Sequence, residues 1–202
     1  MTNIIFGFAI AAFSLTSCNN SNTKVAENQN ANKDTVQVKS QADTSITTLP
    51  AAADAKATVT IKEIVSAYLQ LKNAFTKDNS NDAATAGTSL QTAFKNFDKT
   101  ALSAQQKKVF EDVADDAGEH AEHIGKNGGN IVHQREHFIM LSKDMADLIK
   151  TFGNGGQTLY KDFCPMANDG KGAIWISETK DIKNPYLGKS MPTCGTLKEE
   201  IK

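Results

Sequence analysis

Between Thr60 and Phe152 the apolar residues recur every three to four positions, and that period constrains the fold more than any other feature. Ile61, Ile64, Val65, Tyr68, Leu71 and Phe75 make one face of a helix, and Thr60 with Glu63 forms a candidate capping box at its start. The polar run Asp78-Asn79-Ser80-Asn81-Asp82 reads as a turn. A second helix then runs to about Lys99, with Leu90, Ala93, Phe94 and Phe97 inward. Ser103 is placed as the N-cap of a third, which turns Phe110, Val113, Ala117, Ala121 and Ile124 inward. Asn127-Gly128-Gly129-Asn130 separates it from a fourth helix that buries Phe138, Leu141, Met145, Leu148 and Phe152 and stops at Gly153. Four amphipathic helices with short connections predict a mainly α fold, a four-helix up-and-down antiparallel bundle within residues 58–202.

After Gly156 the helical period is lost. The remaining segment is expected to be irregular, with a turn at Asn184-Pro185 and one short strand, Ala173 to Ser177. Its aromatic residues Tyr160, Phe163, Trp175 and Tyr186 predict that it packs on the bundle.

The N-terminus differs in kind. Asn3 to Cys18 holds an apolar run too short to span a membrane, ending in Leu15-Thr16-Ser17-Cys18, which resembles a bacterial lipobox. The expectation is a signal peptide over residues 1–17, with Cys18 lipidated and holding the protein on a membrane. Residues 18–57 then form a tether: they are polar, and no aromatic residue occurs between Phe13 and Tyr68. A formal net charge of −1 leaves no basic field for nucleic acid.

The donor residues are unevenly placed. Between Cys18 and His120 there is no His, Cys or Met. All four histidines lie between 120 and 137, and beyond Cys18 the cysteines and methionines lie between 140 and 194. His133 and His137 are spaced i, i+4, and His120 and His123 i, i+3; two antiparallel helices can share a metal at such spacings. Joined near Gly128, the helices should set His123 level with His133 and His120 level with His137. Arg135, Glu136 and Asp144 read as solvated charge or surface pairs.

In the tail, Cys164-Pro165-Met166 and Met191-Pro192-Thr193-Cys194 mirror each other. Two thiols with two thioethers suit a soft ion such as Cu(I). The same cysteines can instead close an ordinary disulfide loop in an oxidising compartment. The candidate metal ligands are therefore Cys164, Met166, Met191 and Cys194, with His123, His133 and His137 as borderline donors. Copper is the expected ion, as Cu(I), with zinc as the other candidate. There is no phosphate-binding loop and no nucleophile elbow, and no general base stands beside an open metal position, so an enzyme is not expected.

His123-Ile124, His133-Gln134-Arg135-Glu136-His137-Phe138, Leu141-Ser142, Cys164-Pro165-Met166, Trp175, Asn184-Pro185-Tyr186, Gly188, Met191 and Cys194-Gly195 resemble a domain of unknown function. It is common in Bacteroidota envelope lipoproteins and is also found as a C-terminal extension of copper/silver efflux adaptor subunits. The resemblance covers roughly residues 60–202. It implies an envelope protein that handles heavy metal, most of all copper, beside an efflux adaptor or another envelope metal protein. Asn19 and Asn20 after Cys18 form no acidic cluster, so the expected location faces the periplasm, at the outer membrane. The alternative expectation is a disulfide-stapled interaction module that docks on an envelope partner without metal.

Overall fold

The computed structural model describes residues 55–202, with side chains from Ile61 onward. The signal peptide, Cys18 and the tether as far as residue 54 lie outside the described residues. Four helices follow in order: α1 Ala55–Thr76, α2 Ser80–Lys95, α3 Ala104–Lys126 and α4 Ile131–Phe152. Each packs on the next and α1 also packs on α4, so the expected bundle forms. Three of the starts are capped by local chemistry. Asn79 accepts from the Asp82 N–H, Asn130 accepts from the His133 N–H, and Ser103 with Gln106 makes a reciprocal capping box. Gly153, at φ 87°, ends α4 as expected.

Two helix boundaries differ from expectation. Helix α1 already runs through Thr60, so Thr60 and Glu63 lie inside the helix and do not cap it. Helix α2 stops at Lys95: the Asn96 N–H still bonds to Thr92 four residues back, the Phe97 N–H bonds to Phe94 only three back, and Asp98 caps a short 3-10 turn, Lys99–Ala101. Phe97 is still buried, now from a loop, stacked on Phe110 at 4.0 Å. A close crossing joins α2 to α3. A Cβ on Gly87 would stand 2.9 Å from the Ala121 carbonyl oxygen, and one on Gly125 2.7 Å from Thr88 Oγ1. Glycine is accepted inside these helices because the backbones nearly touch.

The tail is more regular than its sequence suggests. The expected strand at Ala173–Ser177 is present, but it is β2 of a three-stranded antiparallel sheet with β1, Leu159–Cys164, and β3, Thr196–Ile201, in the order β2-β1-β3. The β1–β3 register shifts between Lys161 and Asp162. As its aromatics implied, the segment packs on the bundle: Trp175 and Tyr186 are buried, and Tyr186 packs on Phe138 of α4. Three hydroxyls fasten the two layers. Tyr68 lies 2.8 Å from Ser142 Oγ and accepts from the Ile176 N–H at 3.1 Å, while the Tyr186 hydroxyl donates to the Ile174 carbonyl.

Candidate metal centre

Helix geometry brings the histidines together. The i, i+3 pair on α3 and the i, i+4 pair on α4 each project to one side of their helix, and the Gly128-Gly129 turn folds the two sides against each other. Nitrogens of His123, His133 and His137 all lie within 4.8 Å of one another, on half-buried side chains. His137 is the middle of the group. Its ring stacks on His123 at 4.4 Å, meets His133 edge-on at 4.7 Å and approaches His120 at 5.3 Å. His123 and His133 are 6.3 Å apart, so His123 is level with His137 more than with His133, a stagger between helices that the residue spacing does not encode.

The outer groups orient the rings. His133 Nδ1 lies 3.3 Å from the Glu136 carboxylate, which leaves Nε2 for an ion. His123 Nε2 lies 3.7 Å from Glu119, which leaves Nδ1. Burial holds the His137 imidazole below the usual histidine range, and the neighbouring His123, His120 and His133 add to the effect. Burial also lowers His120, against the opposing charges of Glu119 and Asp116. Both are therefore neutral at pH 7, the form that binds metal. An ion with bonds of about 2.0–2.1 Å draws nitrogens to roughly 3.4 Å apart in a tetrahedral shell. His123 and His137 stack with their planes 8° apart, so one of these rings must rotate for both in-plane lone pairs to meet one ion.

The sulfur donors form a second place. Cys164 Sγ, fully buried at the end of β1, and Cys194 Sγ, just before β3, are free thiols 2.8 Å apart. The hydrogen bond to Cys164, then burial, push the Cys194 thiol above its ordinary range; the Met166 backbone N–H beside it works in the other direction. The Met166 and Met191 side chains are 54% and 38% exposed. Met166 lines a shallow groove with Val132, Ile139 and Leu187. Arg135 and Ser142 of α4 also meet the tail, through Pro185 and Tyr186. His133 and Arg135 are two residues apart, about 200° around the helix. Of the seven expected ligands, the three imidazoles therefore gather on the α3 side of α4 and the two thiols pair on its sheet side, while Met166 and Met191 stay exposed.

Two of the three charges read as solvated are not. Arg135 is only 17% exposed. It donates to the Pro185 and Phe75 carbonyls and to Asp78 at 2.6 Å, and Asp78 in turn accepts from the Lys189 N–H. The Arg135 hydrogen bond holds the Asp78 carboxyl below the usual range. Asp144 is half-buried; burial, followed by the charges of Asp116 and Asp147, raises its carboxyl to about 6. Glu136 is exposed and forms a surface pair with His133, as expected.

A further polar group gave no sequence signal. Asp162 is fully buried on β1, and neither carboxylate oxygen has a hydrogen-bond partner among the described residues. Burial raises it to about 6, against the pull of Lys72. Lys72 is itself fully buried, 2.7 Å from Glu178. Burial lowers the Lys72 ammonium, and burial would raise Glu178, but hydrogen bonds from Lys72 and Asn73 hold that carboxyl low.

Residues 64–157 match the model of a family described as a protein of unknown function, DUF3347. The match spans the four helices from within α1, includes every histidine, and ends before the sheet and its cysteines. No curated protein and no solved structure matches the chain.

Proposed function

We propose that this domain binds transition-metal ions and sequesters them or hands them over for efflux, without transforming a substrate. The observation that carries the reading is the convergence of His123, His133 and His137 within 4.8 Å, each ring able to offer a nitrogen. Neutral imidazoles suit Zn(II) and copper. The Cys164–Cys194 pair, with Met166 and Met191 retained as thioether donors, is the place for Cu(I). In this reading Cys18 carries the lipid that holds the domain at the envelope membrane, facing the periplasm, within reach of an efflux adaptor.

The test titrates reduced, anaerobic protein with Zn(II) and with Cu(I) against competing chelators. His133→Ala and His137→Ala should abolish the Zn(II) site and leave Cu(I) uptake in place, and Cys194→Ser should do the reverse. A reduced wild type that takes up neither ion ends the reading. The second reading is a disulfide-stapled interaction module, favoured by the 2.8 Å approach of the two sulfurs. Thiol counting on protein purified in air separates the two: no free thiol supports the staple, two support the metal site.

A further inference from the structure

His120 stands beside the three converging histidines. Its Nδ1 lies 3.1 Å from His137 Nδ1, close to the edge of about 3.4 Å that two nitrogens share around a tetrahedral ion with 2.0–2.1 Å bonds. Two imidazole nitrogens facing each other need a proton between them or a cation in its place. Without metal the proton makes the hydrogen bond; an ion displaces it and takes both lone pairs. We infer that His120 is the fourth ligand of the α3–α4 site, so that a divalent ion, Zn(II) foremost, is held by four imidazoles in a closed tetrahedral shell. The inference rests on the metal reading above and adds what it left open, the coordination number.

The surroundings fit such a shell. The i, i+3 and i, i+4 spacings supply two nitrogens from each helix, and His120, which stands outside the 4.8 Å convergence of the other three, joins them by turning its ring about the approach to His137. Glu136 stands behind His133 within hydrogen-bond distance of the ring nitrogen turned away from the ion, and Glu119 lies 3.7 Å from His123 Nε2 as a nearby charge. The four ligands are uncharged, and these outer carboxylates offset the charge of the ion. Three histidines and a water would leave an open position of the kind used in catalysis; four histidines leave none. A closed shell belongs to a protein that holds or carries an ion.

Co(II), a visible stand-in for Zn(II), reads the coordination directly. The wild type loaded with Co(II) should show the intense visible bands of a tetrahedral ion and four exchangeable, hyperfine-shifted imidazole N–H signals by proton NMR. His120→Ala should show three such signals and bands several-fold weaker as solvent enters, and should bind at least about tenfold more weakly in chelator competition. Far-UV circular dichroism checks that this variant is folded, and the wild-type signal count stands without it. Three signals in the wild type, or an unchanged His120→Ala spectrum, would remove His120 from the shell while leaving the three-histidine site intact. A wild type that takes up neither Co(II) nor Zn(II) overturns the metal reading and this inference together.

Discussion

Replacing Asp162 by Asn should change how stability depends on pH. In the fold the carboxyl is fully buried without a hydrogen-bond partner among the described residues, and burial raises it from 3.8 to about 6. The folded chain thus holds this proton more tightly than the unfolded chain does. Below pH 3.8 both states are protonated and the group costs nothing. Between about 4 and 6 the unfolded chain releases the proton while the folded chain keeps it, so stability falls as pH rises; above 6 the loss is constant. At 1.36 kcal/mol per unit, the cost is about 1 kcal/mol at pH 4.5 and about 3 kcal/mol at pH 7.5. Asn is uncharged throughout. Its own burial cost is the same at every pH and cancels when two pH values are compared. Urea unfolding of both proteins at pH 4.5, 5.5, 6.5 and 7.5 should therefore show Asp162→Asn gaining about 2 kcal/mol on the wild type across the series. A difference that stays flat within about 0.5 kcal/mol would refute the reasoning, because a paired or hydrated Asp162 would carry no such linkage.

Lys72→Met removes the cation buried between Glu178 and Asp162, and should cost about 3 kcal/mol in urea unfolding at pH 7.5, since it leaves carboxylates uncompensated. Gly188→Ala should cost about 3 kcal/mol, because Gly188 sits at φ 52° and a Cβ there meets the Asp78 carboxylate and the Arg135 guanidinium; in an Asp78→Ala background the loss should shrink to about 1 kcal/mol of backbone strain. Oxidising the thiols should close a loop spanning 30 residues and raise stability by about 3–4 kcal/mol over the reduced protein, read from urea midpoints, with alkylation mass confirming the bond. Equal midpoints in the two redox states would show that the sulfurs do not bridge.

The helices were legible because each buries one stripe against a neighbour, and a buried stripe must repeat with the helical period. The histidine group was legible for the same reason, since i, i+3 and i, i+4 spacings put side chains on one face whatever that face meets. The sheet was harder to read. Strand β3 is exposed along most of Thr196–Ile201, so it carries little apolar alternation, and its existence depends on pairing with β1. The end of α2 was misplaced because Phe97 is apolar and at the right spacing, yet enters the core from a loop.

What the sequence by itself determined is local: helix faces, caps at Ser103 and Gly153, and which donors share a helix. What only the tertiary structure decided is every contact between residues far apart in the chain. Arg135 read as solvated charge until Asp78, 57 residues away, and the Pro185 carbonyl closed around it. Asp162 carried no reading at all until β1 formed and α1, with its Lys72, covered it. The seven candidate ligands read as four soft donors beside three borderline imidazoles, and packing set the imidazoles and the thiols on two sides of α4. The physical reason is common to all three. A residue's period states which way it points along its own element, whereas its charge state, its partners and its neighbouring ligands depend on what another element brings against it.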